Sequence, residues 1–285
     1  VETWKSCNQI TSFPTLDLSS GTTFWEAWYH CTALTSFPSD VDLSGGTNFK
    51  NAWNDCKALA SFPALDLSAG TNFFAAWYEC QSMTSFLATD LSAGLDFYAA
   101  WYDCRALTSF PALALSSGTN FGYSWFGCTA MTSFLATGLD SGTSFIYAWK
   151  NCTSLTTMPA IPLTDGTNFS NAWQNNSSLT SFLATGLDSG TNFTSAWDGC
   201  SALTTMPAIP LTAGVHFPNT WFGCTSLTSF LATGLDSGTN FTSAWENCTD
   251  LTTFPAIPLT AGTNFNNAWK SCTSLTSFLA TGLDL

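Results

Sequence analysis

Apolar and polar residues alternate along this chain with one long period. Twelve Trp, from Trp4 and Trp28 to Trp245 and Trp269, stand 24 residues apart, except that 25 separate Trp28 from Trp53, where the pair Gly45-Gly46 adds one. Trp25 alone falls outside the series. Three residues after each Trp comes Cys, with Asn176 in its place after Trp173. Leu, Ile or Met follows at six, Phe or Met at nine, Leu at fourteen, Gly at seventeen and Phe at twenty, allowing for the inserted Gly. Self-similarity at a fixed step of this length marks an array of stacked units. From Phe86 onward a step of 48 overlies the first: a Phe182-Leu183-Ala184-Thr185 form mostly alternates with a Met206-Pro207-Ala208-Ile209-Pro210 form.

Within one unit, Phe73, Ala76, Trp77 and Cys80 fall at i, i+3, i+4 and i+7. That spacing predicts one face of a helix of about two turns. Gly70-Thr71-Asn72 before it would supply a turn and an N-cap. Phe62-Pro63-Ala64-Leu65-Asp66-Leu67 ends in apolar-polar-apolar alternation and predicts a short strand. A two-turn helix is unstable alone in water, so the units must stack to bury a shared core. Stacked strands lie about 4.8 Å apart and packed helices about 8–10 Å apart, which predicts curvature with the strands inward. The expected fold is therefore an α/β repeat solenoid of about twelve 24-residue units, each a strand plus a helix, forming a single domain over 1–285 with no capping repeats.

Composition narrows the function. The chain has 285 residues, 45% of them apolar, and a net charge of −13 with only six Lys and Arg. A nucleic-acid binder needs basic groups to displace phosphate counterions, and an anionic lipid surface makes the same demand. No apolar run is long enough to span a bilayer. The expected partners exclude nucleic acid and membrane insertion.

The string Ala148-Trp149-Lys150-Asn151-Cys152-Thr153-Ser154-Leu155 resembles the Ala-Phe-x-x-Cys-x-x-Leu core of the BspA-like bacterial class of leucine-rich repeats, with Trp for Phe. Phe62 to Gly70 is similar to the general leucine-rich consensus, with Gly in the place of Asn. The likeness covers the whole chain. It implies a curved leucine-rich-repeat array and an extracellular or surface-exposed adhesive or structural role; folds of this kind host many functions.

The candidate chemistry is sparse. One Cys per unit has no partner within its own unit, and neighbours in a column would point in parallel rather than at each other. No Cys-x-x-Cys spacing supports zinc. The Cys and Trp columns therefore read as core, with Asn176 marking a place where a small group meets backbone. His30 and His216 lie in distant units, and no unit departs from the template to assemble a nucleophile and a base; an enzyme is not expected, and no cofactor or metal. A polysaccharide-degrading enzyme would need a carboxylate pair at glycosidase spacing, and nothing singles one out. Partial Asp columns (Asp17, Asp42, Asp66, Asp90; Asp140, Asp188, Asp236, Asp284) read as a solvated acidic edge, with divalent cations as the alternative. Asn-x-Ser/Thr strings at Asn151, Asn168, Asn175, Asn176, Asn192, Asn240 and Asn247 follow from the repeat and matter only in a glycosylating source.

The strongest departure from periodicity is aromatic. Trp25, Tyr29, Phe74, Tyr78, Tyr98, Tyr102 and Phe126 occupy positions directly after the Phe or Trp of the predicted helix, with Tyr123 and Tyr147 one residue further round. Ser170, Gln174, Thr194, Asp198, Thr242 and Glu246 replace them later, although Phe222 breaks the contrast. Aromatics packing one helix flank on the next would explain them equally well as an exposed binding band. The reading that results is a non-enzymatic extracellular structural or adhesive protein, a surface or fibre component binding a protein or glycan surface. A virus or phage receptor-binding or decoration protein on the virion surface is the alternative. The chain begins at Val1 inside the helix pattern and ends at Leu285 short of the expected Gly, which leads one to expect either continuation in a longer chain or head-to-tail self-association into filaments.

Overall fold

The computed structural model describes residues 3–283. Backbone contacts group the chain into two compact units, Val1–Ser141 and Gly142–Leu285. Each is a stack of 24-residue rungs. Val1, Leu285 and Asp284, which figure in the expectations about the chain ends and the Asp column, lie outside the described residues.

Ten rungs contain a two-residue strand. In the first unit these are β1 (Ser61–Phe62), β2 (Ser85–Phe86), β3 (Ser109–Phe110) and β4 (Ser133–Phe134). In the second they are β5 (Thr157–Met158), β6 (Ser181–Phe182), β7 (Thr205–Met206), β8 (Ser229–Phe230), β9 (Thr253–Phe254) and β10 (Ser277–Phe278). Two earlier rungs are joined by a parallel bridge between Ser12 and Ser36. Pairing is parallel and in register, but only in twos: β1 with β2, β3 with β4, β5 with β6, β7 with β8, β9 with β10.

The 48-residue period explains the twos. Each pair joins a rung with Pro after the strand to a rung with Leu there. The Leu87 amide donates to the Phe62 carbonyl at 3.0 Å, and the Leu231 amide to the Met206 carbonyl at 2.8 Å. In the rung after β2 the same place holds Pro111, which has no N–H to donate. The ring spacing follows: Phe62 and Phe86, across a pair, are 5.2 Å apart, whereas Phe86 and Phe110, across a break, are 6.1 Å apart.

The predicted helix is absent; among the described residues there is none. Residues 73–80 run instead as overlapping turns. Ala76 donates to Phe73, Tyr78 to Ala75 and Cys80 to Trp77, each three residues back. The amides between them point out of the rung: Phe73 donates to the carbonyl of Asp96, Ala75 to Tyr98, Trp77 to Ala100 and Glu79 to Tyr102, at 2.7–2.9 Å. Ala75 and Glu79 take left-handed φ of 50° and 55° to turn those amides outward. The i, i+3, i+4, i+7 spacing that suggests a helix is thus satisfied by a chain of turns, which also brings those four side chains inward. Asn72, expected as an N-cap, does accept the Phe74 amide at 3.0 Å through its side chain, as a turn residue. With no helices to demand wide spacing, the physical reason for the predicted curvature falls away.

Close spacing on both sides produces an aromatic core in columns. Consecutive Trp rings within each unit are parallel at 5.0–5.9 Å between centroids. The Phe column from the start of each turn segment stacks at 5.2–5.5 Å, as in Phe73 with Phe97 and Phe217 with Phe241. The strand Phe rings meet the Trp edge-to-face, at 77–90° and 4.7–5.5 Å, as in Phe62 with Trp53 and Phe230 with Trp245. Offset stacks crossed by perpendicular rings satisfy the quadrupoles of all three columns. Ten of the Trp are fully buried, and that burial is as the sequence pattern implies.

Gly223 tests the turn geometry. It has φ +66°, and a Cβ added there would meet nothing nearer than 4.0 Å. Gly223→Ala should therefore cost about 1–2 kcal/mol, the penalty of a left-handed L-residue. In a helix the same change would stabilise by about 1 kcal/mol. Chemical denaturation reads the sign.

Candidate binding surface

The Cys column is built into this core and not presented at a surface. In rung after rung the thiol donates to the carbonyl of the Trp one rung back, as Cys80 does to Trp53 at 3.2 Å and Cys224 to Trp197 at 3.2 Å. The Trp carbonyl also accepts the Cys amide of its own rung, as Trp77 does from Cys80 at 3.2 Å. A small donor is what that spot needs. Asn176 fills it without meeting the need: it is fully buried, and neither atom of its amide has a partner. Burial pushes the thiols of Cys80, Cys104, Cys200, Cys224 and Cys248 well up, away from the thiolate.

The Asp column serves the turns. Asp17 accepts from the Ser19 hydroxyl and amide, Asp42 does the same with Ser44, and Asp66 accepts the Ser68 amide at 2.9 Å. The Ser hydroxyls hold the Asp17 and Asp42 carboxyls below their ordinary range. Among the described residues no group of three His, Cys, Asp or Glu has metal-holding geometry. His30 lies in the first unit beside Asp55, and His216 in the second, bridged to Asn192 and Asn240.

The aromatic positions form a ribbon on the turn side of the first unit. The outward ladder of amides fixes the side chains of successive rungs one above another, so like meets like. Phe74 stacks on Tyr98 at 5.2 Å, Tyr78 on Tyr102 at 4.5 Å and Tyr102 on Phe126 at 4.6 Å; Tyr123 leans on Tyr98 at 5.5 Å and 54°. Lys50 lies 4.7 Å above the Phe74 ring and Lys5 5.4 Å above Tyr29. Trp25 is 43% exposed, and the other rings are half-buried. The stacked faces of Phe74, Tyr78, Tyr98, Tyr102 and Phe126 are covered by neighbours within the chain, so what these rings offer to solvent is chiefly edge and Tyr hydroxyl. Tyr147 belongs to the second unit, under Lys150 at 4.9 Å.

A carboxylate row runs beside the ribbon. Asp55, Glu79 and Asp103 stand in consecutive rungs, one residue before Cys. Lys57 bridges Asp55 at 2.9 Å and Glu79 at 3.5 Å, Arg105 holds Asp103 at 2.6 Å, and His30 bonds Asp55. The row was not foreseen; the signal was an acidic residue repeated before Cys in three successive units. Burial first, then Tyr102, Glu79 and Asp103, push the Tyr78 hydroxyl up to about 12. Tyr102 rises for the same leading reason. Both phenols therefore stay protonated and able to donate at neutral pH. In the second unit the corresponding places hold a polar network: Asn171 with Gln174 at 2.9 Å, Gln174 with Asp198 at 2.6 Å, Lys270 with Glu246 at 3.0 Å.

Titration with a thiol reagent tests the column. Native protein should react promptly only at the partly exposed Cys7 and Cys272, and unreduced, denatured protein should show all eleven thiols. A denatured count near one would mean an oxidised ladder and would contradict the assignment.

No protein-family model matches the chain, and no curated protein matches it. Solved structures similar to it include bacterial leucine-rich repeat proteins, the broad class that the sequence resembles. A leucine-rich repeat protein from Bacteroides ovatus shares 17% identity, with 98% of this chain and 78% of that one covered, at a TM-score of 0.46. A leucine rich cell surface protein from Faecalibacterium prausnitzii shares 14%, covering 96% and 84%, at 0.35. A leucine-rich repeat protein from Eubacterium ventriosum shares 12%, covering 91% and 88%, at 0.38. The repeat fold itself stands on the rung geometry.

Proposed function

We propose that this is a non-enzymatic, extracellular or cell-surface repeat protein that binds a protein or glycan through the aromatic ribbon of its first unit. One observation carries the reading: half-exposed rings stand in register over successive rungs, where the second unit, Tyr147 and Phe222 apart, builds the same turns largely with polar side chains. The turns themselves therefore do not require aromatics. Trp25, Tyr29, Phe74, Tyr78, Tyr98, Tyr102, Tyr123 and Phe126 would make the contact. Rigid Tyr rings supply contact area at low entropic cost, with hydroxyls that hydrogen-bond. With the ring faces taken, a ligand would lie against edges, donating to the carboxylate row or accepting from the phenols, rather than stacking as a sugar does on an open ring.

The test is binding of purified protein to immobilised glycans and extracellular-matrix proteins, compared with the Tyr78→Ser, Tyr98→Ser, Tyr102→Ser variant. The expected result is retention of wild type and a loss of about tenfold or more in affinity for the variant, with a Tyr147→Ser control unaffected. Equal binding by the variant, or no retention of wild type on any surface, contradicts the proposal.

A further inference from the structure

Leu183, Leu231 and Leu279 occupy one structural position in the second unit, directly after the strand Phe, and are 49%, 49% and 52% exposed. Among the described residues of that unit, Phe278 is the one other large apolar side chain so exposed. These leucines are not loose. Their amides donate to the carbonyls of Met158, Met206 and Phe254 in the preceding rungs at 2.8–2.9 Å, so the backbone holds them fixed while the side chains meet water. In the alternate rungs Pro159, Pro207 and Pro255 stand half-buried at the same place. The leucines thus recur every second rung, about 10 Å apart at strand spacing, along an apolar stripe.

Apart from His216, the charge-bearing residues of the stretch that carries the stripe are of one sign. No Lys or Arg occurs from 151 to 269. Five residues after Leu183 and Leu231 come Asp188 and Asp236, both exposed, and Asp165 and Asp250 are exposed on the same stretch. The two cations of the unit are engaged on its turn side, Lys150 over Tyr147 and Lys270 with Glu246. A fixed apolar stripe on a stretch whose exposed charges are carboxylates, with no Lys or Arg among them, complements a chain that carries both apolar and basic side chains. A second copy of this protein, with net charge −13, is the wrong match.

We propose that the strand side of the second unit docks a cationic polypeptide segment whose apolar side chains recur about every 10 Å. Every third residue of a polyproline-II chain does so, at about 9.3 Å. Leucine contacts supply the hold, and the Asp residues select a basic partner and raise its rate of arrival. The surface is separate from the ribbon of the first unit.

The probe is a synthetic Leu-Lys-Pro repeat peptide, with a Ser-Lys-Pro repeat of equal charge as control, titrated against the full chain. The Leu peptide should bind at least about tenfold more tightly than the control. Replacing all three leucines (Leu183→Ser, Leu231→Ser, Leu279→Ser) should bring it down to the control level, with an unchanged thermal midpoint because the side chains are exposed. Asp188→Lys with Asp236→Lys should abolish binding, and remains decisive if the Leu variant proves unstable. Equal affinity for the two peptides would mean plain attraction to an acidic surface and would overturn the proposal, as would undiminished binding by either variant or no binding at all. The ribbon variant must bind the Leu peptide as wild type does, so failure here and failure of the ribbon reading are distinguishable.

Discussion

Everything in this structure depends on amides that point out of their own rung. On the turn side every second N–H, such as those of Ala75, Trp77 and Glu79, donates to a carbonyl of the next rung. That locks both sides of each rung to nearly the same spacing. A helix would have satisfied those amides internally and then needed twice the room. The stacked Trp column, at 5.0–5.9 Å, exists only because the backbone forgoes the helix. The cost is left-handed φ at two places per rung, and the rigid stacking of flat rings offsets it.

The columns were legible in the sequence and the local backbone was not. Which residues are buried follows from period 24, because the core repeats whatever conformation carries it. Trp77, Cys80, Phe86 and Leu91 are all buried as the pattern requires. The helix was misread because i, i+3, i+4, i+7 describes which side chains share a face, and a string of turns gives the same answer. The discriminating signal stood one residue before Cys: Gly127, Gly199 and Gly223, with Asn151 and Asn247, all left-handed. Gly and Asn are the residues that accept that conformation most readily, and they do not belong in the middle of a helix. The 48-residue alternation was visible as a pattern, but its meaning, a proline that removes one ladder bond per two rungs, needed the strand pairing to be seen.

The aromatic band was legible as a departure from periodicity, and its residues do come together. Their packing was not foreseen: one-per-rung registry stacks Tyr78 on Tyr102 and Phe126, so the rings spend their faces on each other. The exposed leucines leave no signal in the sequence, since Leu183 after Phe182 looks like any strand residue until its side is known. Asn176 is the one rung where the core template fails. It keeps the size of the column but not its hydrogen bond, leaving a buried amide unpaired where the eleven other rungs carry a thiol, at a cost of about 1–3 kcal/mol.

The account stands or falls on where the turn-side amides bond. Scalar couplings across hydrogen bonds, measured by NMR on labelled protein, report each donor and its acceptor directly. Trp77 nitrogen should couple to the carbonyl carbon of Ala100, 23 residues onward, across 2.8 Å. Coupling of Trp77 to Phe73, four residues back, would mean a helix and would contradict the account.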